Sequence, residues 1–386
     1  MPYASSYRKA DFMKKAAALI LIIAISFTII TLSTVKAQEN SWKALASMPT
    51  PRMQLGVAVV NGTIYAIGGS ATSPNGLSTN EKYDPATNTW TTIKSMPTPR
   101  YNLGTAVYEN KIYCIGGINT GPDLNITEVY DPSTDTWGTK SPLPINAPTI
   151  YCANTVDNKI YVMGIIGENQ TAFFNQAYDP IIDTWVSKAV PLTKAIGDMS
   201  AVLDGKIYVF GEVAGNPSES LNQIYDPATD SWATAKPLPM WETNGAAAAT
   251  LGVNASKRVY VMGGETTFVR NNSTFGNYTD ANNIYNPETN TWSKGATMPR
   301  VLRFFKLAVI NDQLYAIGGV EGLLGNFPTK TECYTPTGYG STTQEPVPPS
   351  IDPIQIALIV LVVTVIVAVT VLAFIIKNKR TNKPDN

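Results

Sequence analysis

The 386-residue chain contains no histidine. That absence removes Ser-His and Cys-His pairs, imidazole acid–base chemistry and every His-metal arrangement. Zinc, copper and haem lose their commonest ligand with it, so no metal and no cofactor are expected. Cysteine is scarce. Cys114, Cys152 and Cys333 are far apart, odd in number and without CxxC spacing, which argues against a disulfide framework. Each sits in a strand-like stretch and reads as a small buried hydrophobe. Net charge is also missing, with 29 basic against 29 acidic residues, so the body makes no electrostatic case for nucleic acid. A last absence is local. After Trp292 there is no further tryptophan, although "TECYTPTGYG" at 331–340 begins a phrase that elsewhere ends in one.

Two long apolar runs are present. Arg8, Lys9, Lys14 and Lys15 precede "AAALILIIAISFTIITLSTV", and Val35 and Ala37 offer small residues before Gln38. Residues 1–37 therefore read as a signal peptide cleaved after Ala37. The run exceeds the ~7–15 residues of a usual signal core, so an uncleaved anchor stays open. Ile354 to Ile376 carries no charge, and as a helix at ~1.5 Å per residue it spans about 35 Å, enough for a ~30 Å hydrocarbon core. Lys377, Lys379, Arg380 and Lys383 follow. The positive-inside rule then makes 377–386 a cytoplasmic tail and places everything before 354 outside. The expectation is a single-pass cell-membrane protein that meets lipid through its C-terminal helix. Prolines 346, 348, 349 and 353 make 341–353 a polyproline II stalk.

The body repeats. Tryptophans fall at 42, 90, 137, 185, 232 and 292, and a tyrosine series falls at 65, 113, 161, 208, 260 and 315. Within one period "GVAVVNGTIYAIGG" is two strand-like runs joined by Asn61-Gly62, a type I′ hairpin signal. A third run ends in "KYDP" and a fourth begins at "TW", joined by the turn "DPATN". Each period is a four-stranded antiparallel unit, and six copies fix the architecture before any local assignment does.

Glycine pair, then Tyr and Trp seven apart, then "MPTPR", on a period near 50, resembles the kelch repeat. The resemblance covers 41–336 and implies an all-β, six-bladed kelch-type β-propeller over 38–340, four antiparallel strands per blade. "GIIG" at 164–167 and "GEVAG" at 211–215 lack the glycine pair, so the loops of blades three and four are expected to take a different path. Blade six supplies three strands, and "SWKALASMP" at 41–49 has none of its own before it. Trp42 is therefore expected to stand seventh after Tyr334, with the N-terminal strand closing the last blade. Trp42, Trp90, Trp137, Trp185, Trp232 and Trp292, with Tyr65, Tyr113, Tyr161, Tyr208, Tyr260 and Tyr315, read as the aromatic core between blades.

Strand polarity puts the loops after strand two and before strand one on one face, where binding residues gather. Candidate ligand-binding residues there are Arg52, Arg100, Lys194, Glu168, Glu212, Glu265, Arg303 and Trp241, with Glu242, Arg300, Glu321, Phe173 and Phe174 nearby. They predict a basic side at blades one and two and a mixed or acidic arc over blades three to six. The plainer reading is that these charges are solvated or pair with one another. Sequons at Asn125, Asn169, Asn271, Asn272 and Asn277 lie in the same loops, and Asn61 and Asn254 fall in hairpins on the opposite face.

Three functions follow. The first is a non-enzymatic surface module that binds an extracellular glycan or protein, the role the kelch resemblance favours. The second is an enzyme. Copper-radical oxidases of kelch type need histidines this chain lacks, whereas sialic-acid mutarotases resemble it in blade number, with Arg52, Arg100, Glu212 and Glu265 as proton-transfer residues. The third is a structural envelope component.

Overall fold

The computed structural model describes residues 38–340, apart from 72–74, 121–123, 147–148, 167–171, 192, 194, 214–215, 241–242, 271–272, 323–326 and 328. The expected signal segment, stalk, membrane helix and tail lie outside the described residues, as do Glu168, Lys194, Trp241, Glu242, Asn169, Asn271 and Asn272. Among the described residues no helix is long and apolar enough to cross a membrane.

Six four-stranded antiparallel sheets form the body. Blade one uses Gly56–Val60, Thr63–Ile67, Asn80–Asp84 and Thr89–Ile93, and blade two uses Gly104–Tyr108, Lys111–Ile115, Thr127–Asp131 and Thr136–Lys140. In blades three and four, strands two and three run on (Lys159–Ile166 with Ala172–Asp179, Lys206–Val213 with Asn216–Asp226). These are the two blades without a glycine pair. Where the pair is present it turns the chain out of the sheet. Gly68 and Gly69 have φ of +62° and +96°, and added β-carbons would sit 2.6 Å from the Arg100 carbonyl and 2.8 Å from that of Met53. No other residue fits there. Blade five (Ala246–Thr250, Arg258–Met262, Asn282–Asn286, Thr291–Lys294) carries an inserted hairpin, Glu265–Arg270 with Ser273–Tyr278.

Blade six joins both ends of the described chain. Lys306–Ile310, Gln313–Ile317 and Lys330–Thr335 are completed by Ser41–Ser47, in a register that sets Trp42 opposite Tyr334. The N-terminal strand closes the ring.

Six apolar clusters fill the six clefts between neighbouring blades. In each cleft the strand-two tyrosine of one blade meets the strand-three tyrosine of the next, as Tyr65 meets Tyr130 at 6.0 Å and Tyr260 meets Tyr334 at 5.9 Å. The strand-three tyrosine in turn lies on its own blade's tryptophan at 4.8–5.2 Å, as Tyr178 on Trp185 and Tyr83 on Trp90.

A polar clasp sits beside each aromatic set. Five residues after the strand-three tyrosine stands an Asn or Asp with φ near +50°, a conformation these two side chains tolerate. Its Oδ1 accepts the tyrosine hydroxyl (Tyr83 to Asn88, 2.8 Å) and a backbone N–H of the preceding blade (Ala46 to Asn88, 2.8 Å). The blade's tryptophan Nε1 donates to the carbonyl of that same Ala46 at 3.2 Å. Asp135, Asp183, Asp230 and Asn290 repeat the pattern. In blade six the acceptor is Asn40, which takes the Tyr334 hydroxyl at 2.8 Å and Ala296 N at 2.7 Å, while Trp42 donates to Ala296 O at 3.0 Å. The closing strand thus brings a whole clasp with it.

Candidate functional site

The innermost strands leave a central cavity of about 220 Å³, walled by small and apolar residues such as Val57, Ala153 and Ala247, with Thr105, Asn154, Ser200 and Lys306. Cys152 lines it too, and burial pushes its thiol up to about 11, so it stays protonated and is no nucleophile at neutral pH. Burial likewise pushes Cys114 and Cys333 up to about 12. Among the described residues no group of three or more His, Cys, Asp or Glu is placed to hold a metal ion.

The loop face is defined by short bridges between the residue before strand one and the residue after strand two: Met53 with Ser70, Tyr101 with Ile118, Thr243 with Glu265, and Arg303 with Val320. The next residue along, Gln54, Asn102, Asn244 or Phe304, is left-handed in each case. These residues link through their main chains: Asn102 N donates to Gln54 O (3.0 Å), Gln54 N to Phe304 O (2.9 Å), and Phe304 N to Asn244 O (2.7 Å). This arc of backbone borders the loop-face mouth of the channel on four of the six blades.

Charge gathers at one point of the arc, where blade five meets blade six. Arg303 Nη1 lies 3.2 Å from Glu265 Oε2, and Asn244 Nδ2 donates to Glu265 Oε1 at 2.5 Å. Both partners keep partial access, with side chains 23% and 17% exposed. The guanidinium lies 4.7 Å from the Tyr278 ring centre and 5.2 Å from that of Phe304, and its Nε has no acceptor among the described residues. A partly exposed ion pair framed by an amide and two aromatic rings offers hydrogen bonds and stacking together.

Two sequence expectations fail here. Arg52 and Arg100 do not face the channel; both are wholly buried. The Thr-Pro-Arg turn sends each guanidinium inside its own blade, to Glu81 and Ala66 O for Arg52, and to Glu128 and Cys114 O for Arg100. Thr50 and Thr98 hold the other carboxylate oxygens at 2.7 and 2.8 Å. Burial lowers the Arg52 pKa while the charge and hydrogen bond of Glu81 pull it back up. The expected basic side at blades one and two is therefore interior. Phe174 is also buried and Phe173 packs against the core between blades three and four, so neither forms an open stacking surface. The long strands of blade three, which keep Phe173 and Phe174 paired with Ile165 and Gly164, are the reason.

Of the other candidates, Glu212 is buried and has a partner. Arg300 pairs with Glu332 at 2.9 Å and Glu321 at 3.6 Å. Asn277 is exposed and Asn125 partly so. Glu265 and Arg303 are brought together. Their partners Asn244, Tyr278 and Phe304 were not read from the sequence, though the alignment of Asn244 and Phe304 with Gln54 and Asn102 marks the common turn.

A model of kelch-repeat domains, described as the KLHDC2/KLHL20/DRC7 Kelch-repeats domain, matches residues 26–192, and a kelch motif matches 199–239. The chain is a kelch-repeat six-bladed β-propeller. Its fold is similar to the solved structure of YjhT, with a TM-score of 0.63 at 19% identity over 74% of this chain and 95% of that one. A putative F-box/kelch-repeat protein of Arabidopsis thaliana is 45% identical over 49 residues, 13% of this kelch chain and 14% of that protein. The match spans about a seventh of the plant relative, and it concerns the repeat alone.

Proposed function

We propose that the loop-face mouth of this kelch propeller takes a free sugar and interconverts its anomers. The observation that carries the reading is the Glu265–Arg303 pair at 3.2 Å, partly exposed and steadied by Asn244. Ring opening needs a base at the anomeric hydroxyl. Glu265 accepts that proton as the C1–O5 bond breaks, C1=O1 forms, and the ring oxygen takes a proton from water at the open mouth. Closure on the other face of the aldehyde runs the same transfers backwards. Arg303, 3.2 Å from that carboxylate, faces the charge that develops during opening. The resemblance to sialic-acid mutarotases supports the same class of substrate, carried by other residues than Arg52 and Arg100.

One observation favours a second reading, capture without turnover. Both oxygens of Glu265 already have partners, Asn244 and Arg303, which suits a docking site as well as a base. NMR of the equilibration of freshly dissolved α-D-glucose and α-D-galactose separates the two. Catalysis predicts acceleration that falls about 10²-fold or more in Glu265→Gln. Saturable binding with no acceleration would leave the adhesion module. Display outside a membrane, anchored by 354–376 with 377–386 inside, remains part of the proposal and is supported by the charge-free run and its basic flank.

A further inference from the structure

Phe304 is a bulky residue held at φ +56°, where side chains other than Gly, Asn and Asp are rare. Its equivalents round the mouth are Gln54, Asn102 and Asn244, at φ of 53°, 52° and 57°. The conformation is imposed by the ring and not by the side chain. Phe304 N is tied to Asn244 O and Phe304 O to Gln54 N, so the backbone must take this shape whatever residue stands there. An asparagine at 304 would meet the same demand at less cost, as it does at 102 and 244. Strain of this kind persists where the surroundings over-determine it, and an observed outlier at a mouth is a reason to look for a use.

The side chain is not spent on packing alone. Phe304 is only partly buried, whereas its neighbour Phe305 is fully buried in the cluster between blades five and six. Its ring lies beside the Arg303 guanidinium, which also lies over the partly exposed Tyr278 ring. A flat apolar ring is thus set directly against the polar pair. A pyranose has matching chemistry, with a C–H face that packs on an aromatic ring and hydroxyls at its rim that reach Glu265, Arg303 and Asn244.

We infer that Phe304 is a specificity-determining residue, a platform for the apolar face of a pyranose, kept at the expense of backbone strain. The inference rests on the sugar reading of the mouth and deepens it. It favours pyranoses that present one face of C–H groups over acyclic polyols of equal hydroxyl content.

The test uses the full chain and its Phe304→Asn and Phe304→Tyr variants, with saturation-transfer NMR on D-glucose, D-galactose and the acyclic polyol D-sorbitol, alongside thermal unfolding. The expected result is pyranose binding by the unsubstituted protein, strongest saturation at ring C–H protons, and little for sorbitol. Phe304→Asn should weaken binding roughly tenfold while raising Tm by about 2 °C, and Phe304→Tyr should keep binding. Phe304→Asn binding as well as the parent overturns the inference and leaves the sugar reading standing. A variant that loses both binding and stability shows a packing residue, and the inference falls. No saturation of any sugar by the unsubstituted protein removes the sugar reading and this inference together.

Discussion

Blades one, two and six hold a guanidinium against a carboxylate where blades three, four and five have an amide. The position is two residues before the strand-three tyrosine: Glu81, Glu128 and Glu332 in the first group, Gln176, Gln223 and Asn283 in the second. Arg52 and Arg100 meet their glutamates in the interior, and Arg300 meets Glu332 from the place Thr50 occupies in blade one. In blade four Gln223 performs the equivalent tie without charge, donating to Thr193 O at 2.9 Å and accepting from Thr193 N at 3.1 Å. Both devices fasten the segment that enters strand one to the third strand of its own blade. The difference lies in what happens when one partner is lost. An amide leaves one or two unmet hydrogen bonds, whereas a charged partner leaves an unpaired ion in a dry interior.

The strongest way to break the comparison is to remove the closure that both halves depend on. Deleting residues 38–48 takes away the fourth strand of blade six together with Asn40 and Trp42. The expected outcome is loss of a single cooperative transition in urea, followed by tryptophan fluorescence, with the open ring fraying from blade six. A deletion mutant with undiminished stability would refute closure as the source of cooperativity.

Next in size, Arg52→Ala should cost about 3–5 kcal/mol, because Glu81 stays buried with its charge uncompensated. Gln223→Ala in the amide half should cost about 1–3 kcal/mol. The double change Arg52→Met with Glu81→Gln should recover most of the loss, since replacing both members of a buried pair is often near neutral. Equal costs for the two single variants, read as urea midpoints with unchanged m-values, would erase the distinction between the halves.

Much of the fold was legible because the signals that fix it are local and repeated. The Trp and Tyr series set the period, and the unfinished phrase at Tyr334 pointed to Trp42. The clasp was also written in the chain, as Asn or Asp five residues after the strand-three tyrosine of blades one to five, but polar residues in a turn announce only the turn. Arg52 and Arg100 were misjudged for a related reason. An arginine in a loop-rich stretch reads as solvated, and nothing local shows that a carboxylate 29 residues away lies inside the same blade. Glu265 and Arg303 were picked out singly. Their pairing is a property of the ring, because it crosses between blades. The strain at Phe304 was invisible, since the backbone arc that imposes it ties this turn to those at Asn244 and Gln54.

The smallest expected effect divides the ring along a different line. The clasps of blades two, three and four use Asp135, Asp183 and Asp230, and those of blades one, five and six use asparagine. The tyrosine hydroxyl lowers the pKa of each of these aspartates first, with backbone donors from the neighbouring blade helping. A lowered folded-state pKa gives stability that is present above the unfolded value near 4 and lost as pH falls through the folded one. The triple change Asp135→Asn, Asp183→Asn and Asp230→Asn should therefore flatten the acid limb of Tm below about pH 4 and leave Tm near neutral pH almost unchanged. An acid limb as steep as the parent's would mean that other carboxylates set it.

The sixth clasp joins residues 294 positions apart, Asn40 and Tyr334, whereas every other one joins a tyrosine to a partner five residues on. On a ribosome the first strand emerges with its edge unmatched and must wait for some three hundred residues of chain before its partner exists. Five blades are able to form in order of synthesis; the sixth has to be last. The step that completes the molecule is thus scheduled at the end of translation, and any stall before residue 335 leaves a ring with an open gap and a loose strand at its start.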